Sequence, residues 1–102
     1  RLNDSLQYAE PGLEQRPDEP AVLDTVGWIY YKKQDFARAG TYIEKALEKD
    51  SPNPLFNYHY GMILANTGRP LEAVARLESA LATGKDFQGR NDAMQALEAM
   101  RN

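Results

Sequence analysis

At 102 residues and a net charge of −3 with both signs interspersed, the chain has the size of one domain, and it carries no basic stripe of the kind that marks a nucleic-acid partner. No apolar run approaches the ~18 residues that span a bilayer, so direct membrane insertion is not expected, and no signal peptide is visible. The absence of cysteine rules out disulfides and thiolate metal sites and leaves the redox compartment undetermined.

The chain opens on Arg1 rather than Met, which reads as a fragment or a processed form and leaves localisation unknown. Leu2, Leu6, Ala9 and Leu13 recur at helical spacing, with Asn3 or Asp4 placed to cap the start. Pro11-Gly12 follows, and a proline inside a helix removes a backbone donor and clashes with the preceding turn at ~3 kcal/mol. This first helix is therefore expected to kink or end near Glu10. Pro20 opens a helix at its first position, predicted to run to about Lys33. Asp35 caps a second helix with Phe36 behind it, ending near Lys49. Gly40 lies inside that helix, at a cost of about 1 kcal/mol relative to Ala. Glu44 and Glu48 alternate with Lys45 and Lys49 as a solvated face.

Ser51-Pro52-Asn53-Pro54 is a turn, and a helix over 55–67 follows, closed by Gly68. Pro70 opens the next, with Leu71, Val74, Leu77 and Leu81 as its buried face and Gly84 as its end. Asp86 is placed to cap a last helix, roughly 87–101. Ala93, Ala96, Leu97 and Met100 lie on one side of it, and Gln95, Glu98 and Arg101 on the other.

A spacing of 34 residues runs through the middle of the chain: Gly27 returns as Gly61, Ala39 as Ala73, Ala46 as Ala80, Leu47 as Leu81 and Pro20 as Pro54. Ile29 returns as Ile63 and Ile43 as Leu77. A Gly or Ala on the inner face of each helix lets two backbones approach closely, while Ile29, Tyr30, Ile43 and Leu47 fill the space around the contact.

This pattern resembles the tetratricopeptide repeat (TPR), a helix-turn-helix unit of 34 residues. The resemblance rests on Gly27, Tyr30, Tyr31, Asp35, Phe36, Ala39, Tyr42, Ala46, Leu47 and Asp50 in one copy. In the next it rests on Tyr58, Gly61, Leu64, Gly68, Ala73, Leu77, Ala80 and Leu81. It implies an all-α, TPR-like α-solenoid of antiparallel helix hairpins, a single domain overall. Residues 1–19 would be the second helix of a truncated preceding repeat plus a turn through Arg16-Pro17-Asp18-Glu19. Residues 20–53 and 54–87 would be full repeats, and 88–102 a C-terminal capping helix. That last helix reads as a solvating cap or as a partner helix for another molecule. Two departures from the family stand out. Gln34 falls where the family usually has Gly, so the first full helix is expected to end without a left-handed cap. Asn57 falls where Leu23 stands one repeat earlier, with Phe56 beside it to take over the packing.

The resemblance implies a non-catalytic scaffold whose first helices line a concave groove that takes a peptide or helix of a partner protein. The groove-facing side chains would be Asp24, Trp28, Tyr31 and Lys32, then Tyr58, Met62, Ala65 and Asn66 in the next repeat. Helical steps of four and three relate Asp24, Trp28 and Tyr31, as they do Tyr58, Met62 and Ala65. Trp and Tyr dominate binding energy at interfaces, and Met adds adaptable apolar surface. Trp28 would equally serve to cover the contact between neighbouring helices. Tyr30, Tyr42 and Tyr60 are assigned to packing. Family members that grip acidic chaperone tails use Lys, Arg and Asn along the first helices; here only Lys32 and Asn66 fit, so an apolar or aromatic ligand is expected. The alternative is a structural end of a longer array that binds elsewhere and self-associates through exposed repeat ends. The style of Gly27-Trp28-Ile29-Tyr30-Tyr31-Lys32 and the short prolyl turns resembles bacterial repeat proteins of envelope, pilus or exopolysaccharide assembly.

No enzyme is expected. There is no phosphate-cradling glycine loop, no HExxH and no cysteine nucleophile, and no cofactor is implied. His59, the one histidine, lacks an evident oriented partner for acid–base work and cannot make a zinc site alone. It is expected on a helix surface or lining the inner face of the stack.

Overall fold

The computed structural model describes residues 11–101. Its elements are all helical: α1 (Pro20–Lys32), α2 (Phe36–Lys49), α3 (Pro54–Ala65), α4 (Pro70–Ala82) and α5 (Arg90–Arg101). They pack as sequential antiparallel pairs, α1 on α2 and α3 on α4, consistent with TPR-like helical repeats. The described residues divide between Asp50 and Ser51 into two compact units. In the second unit α5 packs on α4 and touches α3. Residues 11–15 are also helical, so Pro11-Gly12 is accommodated within helical backbone. The expectations for Leu2, Leu6, Ala9, the Asn3 or Asp4 cap and the break near Glu10 lie outside the described residues.

Each hairpin closes on a glycine. A Cβ built on Gly27 would stand 2.5 Å from Ile43 Cγ1 and 3.1 Å from the Ala39 carbonyl oxygen. On Gly61 it would stand 2.9 Å from the Leu77 side chain and 3.4 Å from the Ala73 carbonyl. The small residues therefore do what the spacing predicts, letting α1 ride on α2 and α3 on α4 at backbone contact distance. Ala39, Ile43 and Ala46 are buried opposite α1; Ala73, Leu77 and Ala80 are buried opposite α3.

The caps follow the sequence in part. Pro20, Pro54 and Pro70 each take the first position of their helix. Asp35 accepts a hydrogen bond from the Arg38 amide at 3.2 Å, satisfying one of the orphan donors of α2. Asn53 does the same for α3, accepting from the amides of Leu55 at 2.9 Å and Phe56 at 3.2 Å.

Four expectations are corrected. Gln34 does supply a left-handed cap, at φ 66°. The Asp35 amide donates to the Tyr30 carbonyl at 3.0 Å and the Gln34 amide to that of Tyr31 at 2.9 Å. These two bonds make a Schellman closure, which holds the non-glycine residue in a conformation costing ~1–2 kcal/mol. Gly68 takes the same backbone at φ 76°, with the Arg69 amide donating to the Leu64 carbonyl at 3.1 Å. The helix expected over 55–67 spans Pro54–Ala65, because Asn53 caps it one residue earlier. Leu71 is 87% exposed rather than part of a buried face. Burial on α4 runs through Ala73, Leu77 and Ala80, and at ~100° per residue Leu71 lies roughly 200° round the helix from Ala73. Finally, α5 begins at Arg90 instead of 87. Asp86 stays in the exposed linker, and the Gly89 carbonyl accepts the first helical bond from Ala93 at 2.8 Å.

Candidate functional site

The eight residues singled out on the first helices all fall on α1 and α3 or at their ends, and burial repeats at the same 34-residue spacing. Asp24 and its counterpart Tyr58 are buried, at 2% and 5% exposure. Trp28 and Met62 are half-buried, as are Tyr31 and Ala65, and Lys32 and Asn66 are exposed. Expected exposure thus fails at Asp24 and Tyr58. Along each helix one edge of the stripe turns into the core while the other three positions reach solvent in part.

In α1 the stripe is an aromatic assembly. The Trp28 and Tyr31 rings stack with centroids 4.3 Å apart and planes 5° from parallel. A spacing of three residues puts the two side chains on one face of the helix. Phe36, at the start of α2, extends the row, its ring 5.7 Å from Tyr31 and tilted by 57°. The sequence marks Phe36 as the residue behind the Asp35 cap and as part of the repeat pattern but not as part of this surface; the signal that it joins is the short turn, which brings the first residue of α2 back against the last turn of α1. Lys32 stands at the exposed edge of the row in sequence.

In α3 the corresponding stripe has less aromatic surface. Tyr58 points into a cluster with Phe87 at 6.0 Å and His59 at 5.3 Å between ring centroids. The backbone of Gly89 passes so close to the Tyr58 ring that a Cβ there would overlap it, and Gly89 adopts φ 99° to pass. Tyr58 is thus the seat on which the entry to α5 rests. Met62 and Ala65 remain part-exposed, and the Asn66 amide side chain donates to the Met62 carbonyl at 2.8 Å, closing the helix end.

The residues assigned to packing behave so. Tyr30 stacks on Tyr42 at 5.7 Å and 6°, with Lys33 and Arg38 over the Tyr30 ring at 5.9 and 5.8 Å. Tyr60 is buried under the Arg76 guanidinium at 5.2 Å. His59 is 6% exposed, which excludes the surface placement. Asn57 is fully buried with its amide used on both sides. Its Nδ2 donates to the carbonyls of Ser51 and Asn53, each at 2.9 Å, and its Oδ1 accepts from Arg76 Nη1 at 3.1 Å. Phe56 beside it is buried as expected. Nothing in the spacing of the chain singles out Arg76, since its role depends on meeting Asn57 across 19 positions.

Among the described residues no group of three or more His, Cys, Asp or Glu side chains could hold a metal ion, and no helix is long and apolar enough to cross a membrane. No family model matches the chain. Over 33 residues it is 46% identical to the "TPR repeat-containing protein PA4667" of Pseudomonas aeruginosa, covering 32% of this chain and 6% of that protein. Over 47 residues it is 38% identical to the "Anaphase-promoting complex subunit CDC16" of Saccharomyces cerevisiae, covering 46% of this chain and 6% of that protein. The chain thus matches a small part of either relative's length. These partial similarities and the helix pairs together point to TPR-like repeats, an architecture suggestive of protein–protein interaction and typically non-catalytic.

Proposed function

We propose that this chain is a non-catalytic scaffold that binds a peptide or helix of a partner protein through the part-exposed stripes of its first helices. The repeats would be residues 20–53 and 54–87, with 88–102 as a closing helix. The observation that carries the reading is the Trp28–Tyr31 stack, part-exposed and extended by Phe36. Rigid aromatic rings lose little conformational entropy on binding and offer large apolar area, which is why they dominate interface energetics. Lys32 adds a positive charge at the rim, where charge steers and orients more than it holds.

The contribution of each proposed contact differs from the original stripe. Trp28, Tyr31 and Met62 supply the apolar contact, Ala65 leaves room, and Lys32 and Asn66 orient the ligand. Asp24 and Tyr58 act from within the core, by fixing the helices that carry the others. The test is affinity capture from the source organism's lysate with the wild-type chain as bait, beside a Trp28→Ala, Met62→Ala variant shown by circular dichroism to fold. A partner retained by wild type and lost with the variant is the expected result. Equal capture by both would move binding off these helices and overturn the reading.

A further inference from the structure

The second unit contains a cleft of about 410 Å³ lined by Ser51, Pro52, Asn57, Arg76, Ser79, Ala82 and Thr83. It lies between the turn into α3 and the outer side of α4, away from the Trp28 stripe in sequence and in structural unit. One charged side chain faces it, and that side chain is held in place from two directions. The Asn57 amide cannot rotate, because both Nδ2 hydrogens are committed to the Ser51 and Asn53 carbonyls. Its Oδ1 is thereby aimed at Arg76 Nη1. The guanidinium also lies over the Tyr60 ring, 5.2 Å from its centroid, a contact that suits a planar cation.

No carboxylate among the described residues forms a hydrogen bond or close ion pair with Arg76, although its charge is felt by Glu72 one turn earlier. The nearest candidate in sequence, Glu72, is held by the Arg69 fork at 2.9 and 2.6 Å. A guanidinium has five N–H donors, and one hydrogen bond to Asn57 leaves most of them unused. Arg76 is half-buried, so a charge brought to it is screened less than on open surface. The Ser79 hydroxyl, one turn on, supplies a further polar group at the cleft wall. Thr83 is already engaged, donating to the Ala80 carbonyl and accepting from the Lys85 amide.

We infer that this cleft is a carboxylate-binding site in which Arg76, positioned by Asn57 and Tyr60, receives an acidic side chain or a C-terminal carboxylate from a peptide segment. A single fixed guanidinium matches the planar, singly charged carboxylate in bidentate geometry. The volume admits one or two residues, within the range of small-ligand sites. The site is independent of the stripe on α1 and α3: either can fail without the other.

The test is a titration of the full chain followed by NMR at the Arg76 Nε–H and Asn57 side-chain amide signals. Three probes are used: an acetylated, amidated dipeptide carrying Glu, an acetylated dipeptide with a free C-terminal carboxylate, and the amidated Gln analogue of the first. Saturable shifts with a carboxylate probe and none with the Gln analogue are expected, and whichever carboxylate probe binds tighter identifies the source. Arg76→Lys, which keeps the charge and loses the fork, is expected to weaken binding about tenfold; Arg76→Gln is expected to abolish it. Thermal unfolding of both variants checks that the fold persists. If no probe saturates on the wild type, if the Gln analogue binds as well, or if a folded Arg76→Gln binds as tightly, the site is not a carboxylate receptor.

Discussion

The α1–α2 and α3–α4 hairpins share one spacing yet solve the same packing problem with different chemistry. At the core position that Leu23 fills in the first, the second buries Asn57. The facing helix changes in step. Tyr42 on α2 stacks on Tyr30, whereas Arg76, its counterpart 34 residues on, bonds to Asn57 and lies over Tyr60. At this position the first hairpin is therefore closed by apolar and aromatic contact and the second by a buried amide whose donors and acceptor all have partners. The lesson is that a repeat preserves distances between helices, not side-chain types: a polar residue is tolerated in the core once every donor and acceptor it brings has a partner.

Exchanging the two chemistries one residue at a time should break this balance unequally. Leu23→Asn puts an amide against α2, which offers Tyr42 where α4 offers Arg76, and should lower unfolding stability by about 3 kcal/mol. Asn57→Leu keeps the branched outline at a somewhat larger volume but strips the Ser51 and Asn53 carbonyls of a donor and Arg76 of its acceptor, and should cost about 1–2 kcal/mol. Urea denaturation of both variants decides it; equal costs would mean that the two cores are interchangeable.

The helix crossings come next. Gly27→Ala drives a methyl against Ile43 and the Ala39 backbone and should cost about 2 kcal/mol. Gly61→Ala meets mainly the movable Leu77 side chain, and the better helix propensity of Ala offsets part of the strain, leaving about 1 kcal/mol or less. A larger loss at Gly61 in the same denaturation experiment would reverse this ranking of the two crossings.

The turns should differ in sign. Gln34→Gly relieves a left-handed non-glycine and should raise stability by about 0.5–1 kcal/mol, part of the relief being offset by the freer unfolded chain. Gly68→Ala, where a Cβ meets nothing within 4 Å, should lose about 1 kcal/mol through backbone strain alone. Thermal midpoints moving in the same direction for both would show that the caps are not equivalent.

The smallest effect belongs to the exposed pair at the entry to α4. The hydrogen bond from Arg69 holds the Glu72 carboxyl below its ordinary value of 4.5 and raises the Arg69 guanidinium in turn. A depressed carboxyl contributes stability that is present above the unfolded value and lost as pH falls through the folded one. The contribution should therefore disappear only in acid, below about pH 4.5. In an NMR titration, Arg69→Ala should move the Glu72 midpoint upward; an unchanged midpoint would remove the pair from the account.

Much of the fold was legible because helices announce their ends locally. Prolines at first positions, Asp35 as a cap and Gly68 and Gly84 after the last turns are nearest-neighbour effects, and the 34-residue register of Gly27 and Gly61 is a property of the string itself. The candidate stripe was legible as spacing but not as exposure. Asp24 and Tyr58 share the period of Trp28 and Met62, and period fixes only the angle around a helix, whereas burial depends on what lies opposite. Tyr58 is covered by Phe87 and Gly89 from a linker whose path no periodicity encodes. Phe36 joined the aromatic row because a tight turn folded it back.

By itself, then, the sequence determined that the chain is helical, where most helices begin, which small residues sit at the crossings, and that two hairpins repeat. These follow from backbone geometry and local hydrogen bonding, which act over a few residues. Only the tertiary structure decided that Gln34 takes a glycine's conformation, that Leu71 faces solvent, that α5 starts after Gly89, and that Asn57 and Arg76 meet across a cleft. The Asn57–Arg76 contact joins residues 19 apart, and an amino-acid string does not display which of its distant members will touch; the Gln34 cap rests on bonds back to Tyr30 and Tyr31, whose formation outweighs the backbone preference that its residue type alone would suggest.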